Sequence, residues 1–168
     1  MPHRGVRQFR PIMDEKMDDL EELYQELIMD HNWKPRNFRA MEDATRSVDG
    51  FNPFCGDTVT LYLKLEGQVV SDVAFQGLGC AISKASASML TEIIKGKTTE
   101  EAEEVFDRFR QMLTRGLGED FDAEGLGDLE VLSGVSQFPT RVKCATLSWH
   151  ALRGALRGDK TVSTESSY

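Results

Sequence analysis

The stretch TVTLYLKLEGQVVSDVAFQGLGCAIS, residues 58–83, sets the element order from which the rest of the chain is read. TVTLYLKLE alternates apolar and polar residues, the period of a half-buried strand, and QVVSDVAFQG follows as a second strand. The junction Glu66-Gly67 reads as a tight hairpin between them. From Ala81 the period changes. Ile82, Ala85, Met89, Leu90 and Ile93 recur at helical spacing, and the pattern stops at Gly96.

Upstream, ATRSVDGF (residues 44–51) reads as a short strand. Before it, Met17, Leu20, Leu23, Tyr24, Leu27 and Ile28 follow the acidic pair Asp18-Asp19 at helical spacing, which predicts a helix over residues 14–30. HNWKPRNF then breaks the pattern, since Pro35 cannot continue a helix. Downstream, KTTEEAEEVFDRFRQML reads as a helix with Thr98 or Thr99 as N-cap and glutamates in its first turn.

Residues 116–138 hold five glycines and six acidic residues with no lysine or arginine, so a loop is expected there, with a short helix at residues 128–132. Pro139 then stands near the start of a last helix, TRVKCATLSWHALRGALRG. Residues 1–13 are expected to be flexible, residues 14–157 to form one domain, and the polar residues 158–168 to be a disordered tail.

At 168 residues, 40% apolar and 29% charged, the chain has the composition of an ordinary globular domain that needs no disulfide staples. Its net charge of −8 argues against nucleic acid as a partner, because phosphate contact needs a basic surface. No run approaches the roughly 18 apolar residues of a membrane span, and the N-terminus lacks the apolar core of a secretory signal. No membrane partner is expected, and the cytoplasm is the expected location, where thiols stay reduced.

The chain has three cysteines, at positions 55, 80 and 144, and no C-x-x-C pair, so on spacing alone the metal signal is weak. Their settings say more. Cys55 lies in NPFCGD (residues 52–57), after Pro53 and before Gly56, two residues from Asp57. Residues two apart in an extended chain share a face. Cys80, in QGLGCAIS, stands where strand gives way to helix, and a helix N-terminus favours thiolate. Cys144, in TRVKCATLSW, has Arg141 and Lys143 beside it, and neighbouring cations favour thiolate too. Three thiolates and the Asp57 carboxylate would make a tetrahedral S3O set suited to zinc, leaving about −2 of charge for Arg141 and Lys143 to offset.

NPFCGD, GLGCAIS and RVKCATLSWHAL, in that order, resemble the NifU/IscU-type iron–sulfur assembly proteins, and most closely their SufU subgroup. LYQELIMDHNWKPRNF resembles the family's opening helix and loop. The resemblance implies an α+β fold with a small antiparallel three-stranded sheet and helices packed mainly on one face. It implies one Zn2+ per chain, held by Cys55, Asp57, Cys80 and Cys144. It further implies that Cys55 accepts persulfide sulfur from a SufS-type cysteine desulfurase, for delivery to a downstream SUF assembly scaffold. Arg141 matches a basic position near the site, and Lys143 joins it in a supporting role.

The alternative within the family is a scaffold that itself carries a transient [2Fe–2S] cluster. Scaffolds of the IscU type have a histidine immediately before the third cysteine, where this chain has Lys143, a group that is normally cationic and cannot ligate. They also have a shorter connection between the second and third cysteines than the one containing residues 116–138. A purely structural zinc is the third reading. A cysteine–histidine hydrolase ranks below all three, with His31 expected in a loop and His150 on an exposed helix face.

Overall fold

In a computed structural model that describes residues 12–115 and 121–165, the hairpin and the helix after it form as the period change predicts. β2 (Asp57–Glu66) and β3 (Val69–Leu78) pair antiparallel across Gly67, whose φ of +61° closes the turn. β1 (Arg46–Asn52) pairs antiparallel with β2, from Arg46 opposite Leu63 to Asn52 opposite Asp57. Residues 53–56 are therefore the turn between two paired strands.

The sheet differs from the expected three strands. β4 (Thr161–Ser163) adds a fourth, parallel to β1, in the order β3-β2-β1-β4. Part of the tail expected to be disordered is thus a sheet edge, and residues 166–168 lie outside the described residues. Val162 is buried, and room for it comes from two glycines. A Cβ on Gly50 would meet Val162 at 3.2 Å, and one on Gly154 at 2.5 Å. The same edge has backbone bonds from Asp49 N to Lys160 O and from Thr164 N to Phe51 O.

Four α-helices accompany the sheet among the described residues: α1 (Ile12–Trp33), α2 (Ala81–Ile94), α3 (Thr99–Thr114) and α4 (Pro139–Arg157). α1 is longer than expected at both ends; the rest of the stretch expected to be flexible, residues 1–11, lies outside the described residues. α3 starts on a capping box in which Thr98 Oγ1 accepts from Glu101 N and Glu101 Oε1 accepts from Thr98 N. α4 starts with Pro139 at its head and ends at Gly158, whose φ of +84° terminates it in the left-handed region. Residues 127–137 form a 3-10 helix longer than the short helix expected, and residues 116–120 of the acidic segment are outside the described residues.

The strands alternate buried and exposed residues, and the helices cover the buried face. Leu61, Leu63 and Phe75 from the sheet meet a helix layer centred on the fully buried Trp149 of α4. Phe106 and Phe109 of α3 pack at 6.0 and 5.3 Å from that indole. The consequence for function is geometric. The turn after β1, the end of β3 and the first turns of α4 all reach the same end of the sheet.

Candidate metal centre

Asn52 and Asp57 are paired residues of β1 and β2, so the four-residue turn between them projects from the sheet's end. It is closed by Gly56 N donating to Asn52 O at 2.9 Å, with Gly56 at φ +74°. Cys55 hangs from this turn with an exposed thiol, while Asp57 next to it is buried. The two residues meet because the turn reverses the chain, not because an extended strand puts them on one face as expected.

Cys144 comes to the same place from the opposite layer. α4 packs on β1 and β2, and Cys144 is buried on the face that meets them. Its sulfur lies 3.6 Å from Cys55 Sγ, and donor atoms of Cys55, Asp57 and Cys144 all lie within 4.8 Å of one another. Two thiolates on one zinc, each about 2.3 Å from it, stand about 3.8 Å apart in a tetrahedron, so the sulfur spacing already suits that ion.

Cys80 is brought to the rim and not into this tight group. Its backbone N–H donates to Asp57 Oδ1 at 3.3 Å, while its exposed thiol caps α2 by accepting from Ser83 N at 3.5 Å. Gly79 allows this approach, since a Cβ there would stand 3.1 Å from Asp57 Oδ1. Of the four expected ligands, three are assembled and the fourth is tethered beside them. Two sulfurs and a carboxylate, with a third thiol adjacent, fit zinc by softness and count.

The electrostatics of Cys144 correct one expectation. Burial pushes its thiol far above the ordinary range, and hydrogen bonding with Asp57 and Cys55 adds to the effect. The cations expected to ionise it are engaged elsewhere. Lys143 Nζ pairs with Glu165 Oε1 at 2.5 Å and sits 3.6 Å from the centre of the Phe54 ring. Arg141 stacks on Phe138 at 5.0 Å, beside a groove bounded by Tyr24, Ile28, Ile82 and Val135. A divalent cation among the donors reverses this, because its own charge deprotonates a ligating thiol.

His31 and His150 also differ from expectation. His31 lies inside α1, buried, with Nδ1 2.7 Å from Ser88 Oγ. His150 is buried in α4 against the edge of Phe106. The NifU-like N-terminal domain model matches residues 23–145, a span that holds every donor.

The chain belongs to the NifU-like N-terminal domain family. Within that family it is 49% identical over 135 residues to the zinc-dependent sulfurtransferase SufU of Bacillus subtilis, covering 80% of this chain and 89% of that one. It is 39% identical over 142 residues to the iron–sulfur cluster assembly scaffold protein IscU of Streptococcus pyogenes, covering 84% and 87%. Among solved structures, a putative iron–sulfur cluster assembly scaffold protein for the SUF system from Fervidobacterium islandicum superposes with a TM-score of 0.72 at 40% identity, over 78% of this chain and 94% of that one.

One residue at this NifU-like centre escaped the sequence reading. Asn52 is fully buried and donates from Nδ2 toward Asp57 Oδ2 at 3.4 Å and Cys144 Sγ at 3.6 Å. Standing before a proline, it reads in sequence as an ordinary turn former.

Proposed function

We propose that this chain is a zinc-dependent sulfur-transfer protein in which Cys55 accepts persulfide sulfur from a SufS-type cysteine desulfurase, for a downstream SUF assembly scaffold. The observation that carries this reading is the contrast among the three clustered donors. Asp57 and Cys144 are buried and held by strand and helix, while Cys55 is exposed on a turn with a left-handed glycine. Such a set can keep two ligands and release one.

Zinc, when bound by Cys55, Asp57, Cys144 and the adjacent Cys80, would keep the thiols ionised at neutral pH. The Cys55 thiolate then attacks the terminal sulfur of the desulfurase persulfide. The S–S bond of the donor breaks, its cysteine leaves as thiolate, and Cys55 becomes the persulfide. Phe54 and Leu78, 63% and 80% exposed, flank the thiols and offer a partner apolar contact around the transfer point. Lys143 supports Cys55 through its packing on Phe54, and Arg141 adds positive charge at the head of α4. The cytoplasm is the proposed site of action; no helix among the described residues is long and apolar enough to cross a membrane.

The test is metal analysis of the purified chain, with intact mass after incubation with desulfurase and cysteine. One zinc per chain and a gain of one sulfur atom on Cys55 are expected. A Cys55→Ala variant that still stimulates the desulfurase fully overturns the role given to Cys55. A coloured, oxygen-sensitive cluster on anaerobic reconstitution, in place of a colourless zinc protein, favours the scaffold alternative.

A further inference from the structure

We propose that Asn52 is a positioning residue whose carboxamide sets the spacing of the metal donors and of the turn that carries Cys55; this rests on the zinc reading of the site. All of its hydrogen-bonding capacity is spent locally. Nδ2 addresses the Asp57 carboxylate at 3.4 Å and the Cys144 sulfur at 3.6 Å. Oδ1 accepts from Phe54 N at 3.2 Å and from Thr164 Oγ1 at 3.3 Å. The side chain is fully buried, so no water competes for these groups.

A turn needs only one of these contacts, the bond to Phe54 N, which an aspartate or serine would make as well. The amide's distinguishing part is the NH2 group, and that is the part directed at the Asp57 carboxylate and the Cys144 sulfur. An amide does not ionise, so it stays a donor whatever the pH. Through its oxygen the same side chain holds Phe54, next to Cys55. One group therefore ties the two donors that stay to the turn of the donor that leaves. Thr164 anchors it from outside, at the end of β4.

The experiment compares the full chain with Asn52→Ala and Asn52→Asp. Asn52→Asp keeps the shape and an accepting oxygen for Phe54 and Thr164 and replaces the NH2 with a second oxygen, which as a carboxylate faces Asp57 and Cys144 with no proton to donate. Zinc affinity is read by chelator competition, and the chain is also loaded with Co2+ to read the sulfur-to-metal charge-transfer band. Asn52→Ala is expected to bind zinc about ten- to a hundredfold more weakly. In both variants the charge-transfer band moves to longer wavelength, because a sulfur without its N–H donor gives up charge more readily.

A merely structural asparagine would lower the unfolding temperature of the metal-free variants and leave the band in place. An unmoved band in Asn52→Asp with wild-type zinc affinity in both variants overturns the proposal and leaves the zinc reading standing. A wild-type chain that takes up neither metal overturns both.

Discussion

Gly154 of α4 faces Val162 of β4 so closely that a methyl group on the glycine would stand 2.5 Å from Val162 Cγ1. Contacts that close are not tolerated, and the valine, branched at Cβ, cannot swing aside. The short edge strand is the element free to move. Gly154→Ala is therefore expected to displace β4 and leave the helix intact, since alanine favours the helix by about 1 kcal/mol over glycine. Amide exchange at Val162 and Thr164 should rise sharply while the global unfolding temperature stays near wild type. Protected amides at both positions would show that the strand accommodates the methyl group.

Alkylation of the metal-free chain at neutral pH should separate its cysteines. Cys55 and Cys80 are exposed, whereas Cys144 is buried and its thiol is held in the neutral form. Iodoacetamide is expected to label the first two and spare the third under native conditions, as read by peptide mass mapping. Zinc added beforehand should protect Cys55 despite its exposure. Equal labelling of Cys55 with and without zinc would remove it from the ligand set.

Burial lowers the His150 pKa from 6.5 to about 4, with the charges of Arg110 and Arg153 adding to the effect. The unfolded chain therefore takes up a proton here that the folded chain refuses. The resulting stability is fully present above pH 6.5 and is lost as pH falls toward 4. At one pKa unit per about 1.4 kcal/mol, the span corresponds to about 3 kcal/mol. His150→Leu should be less sensitive to pH across this window in denaturant titrations at successive pH values. Parallel stability curves for the two proteins would refute the assignment.

Two glycines near the site should respond differently to alanine. A Cβ on Gly77 would stand 2.2 Å from the backbone oxygen of Thr58, which cannot yield without parting β2 from β3. Gly77→Ala is expected to cost about 3 kcal/mol in chemical denaturation. Gly56 has open space around it and only its φ of +74° to defend, so Gly56→Ala should cost about 1 kcal/mol. A larger loss at Gly56 than at Gly77 would contradict the packing described.

The hairpin and the helices were legible because their signals are local: alternation in TVTLYLKLE, helical spacing after Ala81, a threonine cap at the head of α3. β4 was not, because three residues are too few to show a period, and the burial of Val162 depends on glycines in β1 and α4. The three cysteines and Asp57 were legible as motifs, but the neutral thiol of Cys144 was not. Lys143 precedes Cys144 by one residue, and on a helix adjacent residues point about 100° apart, so closeness in sequence put its charge on Glu165. Asn52 was hidden for a related reason. Its turn-forming oxygen is a local signal, while the partner of its nitrogen, Cys144, arrives from the far end of the chain.

Cys55 and Asp57 ride on the sheet, and Cys144 rides on the helix layer, so the donor set straddles the seam between them. The spacing of the three donors is therefore a calliper for how α4 is seated on β1 and β2. Metal coordination tolerates about 0.2 Å of error, whereas a helix advances about 1.5 Å per residue. Leu147 packs where Gly50 leaves room for it, with its Cδ1 3.3 Å from the place a Cβ would occupy. A substitution there, about one helical turn from Cys144, is expected to register in metal affinity as well as in stability.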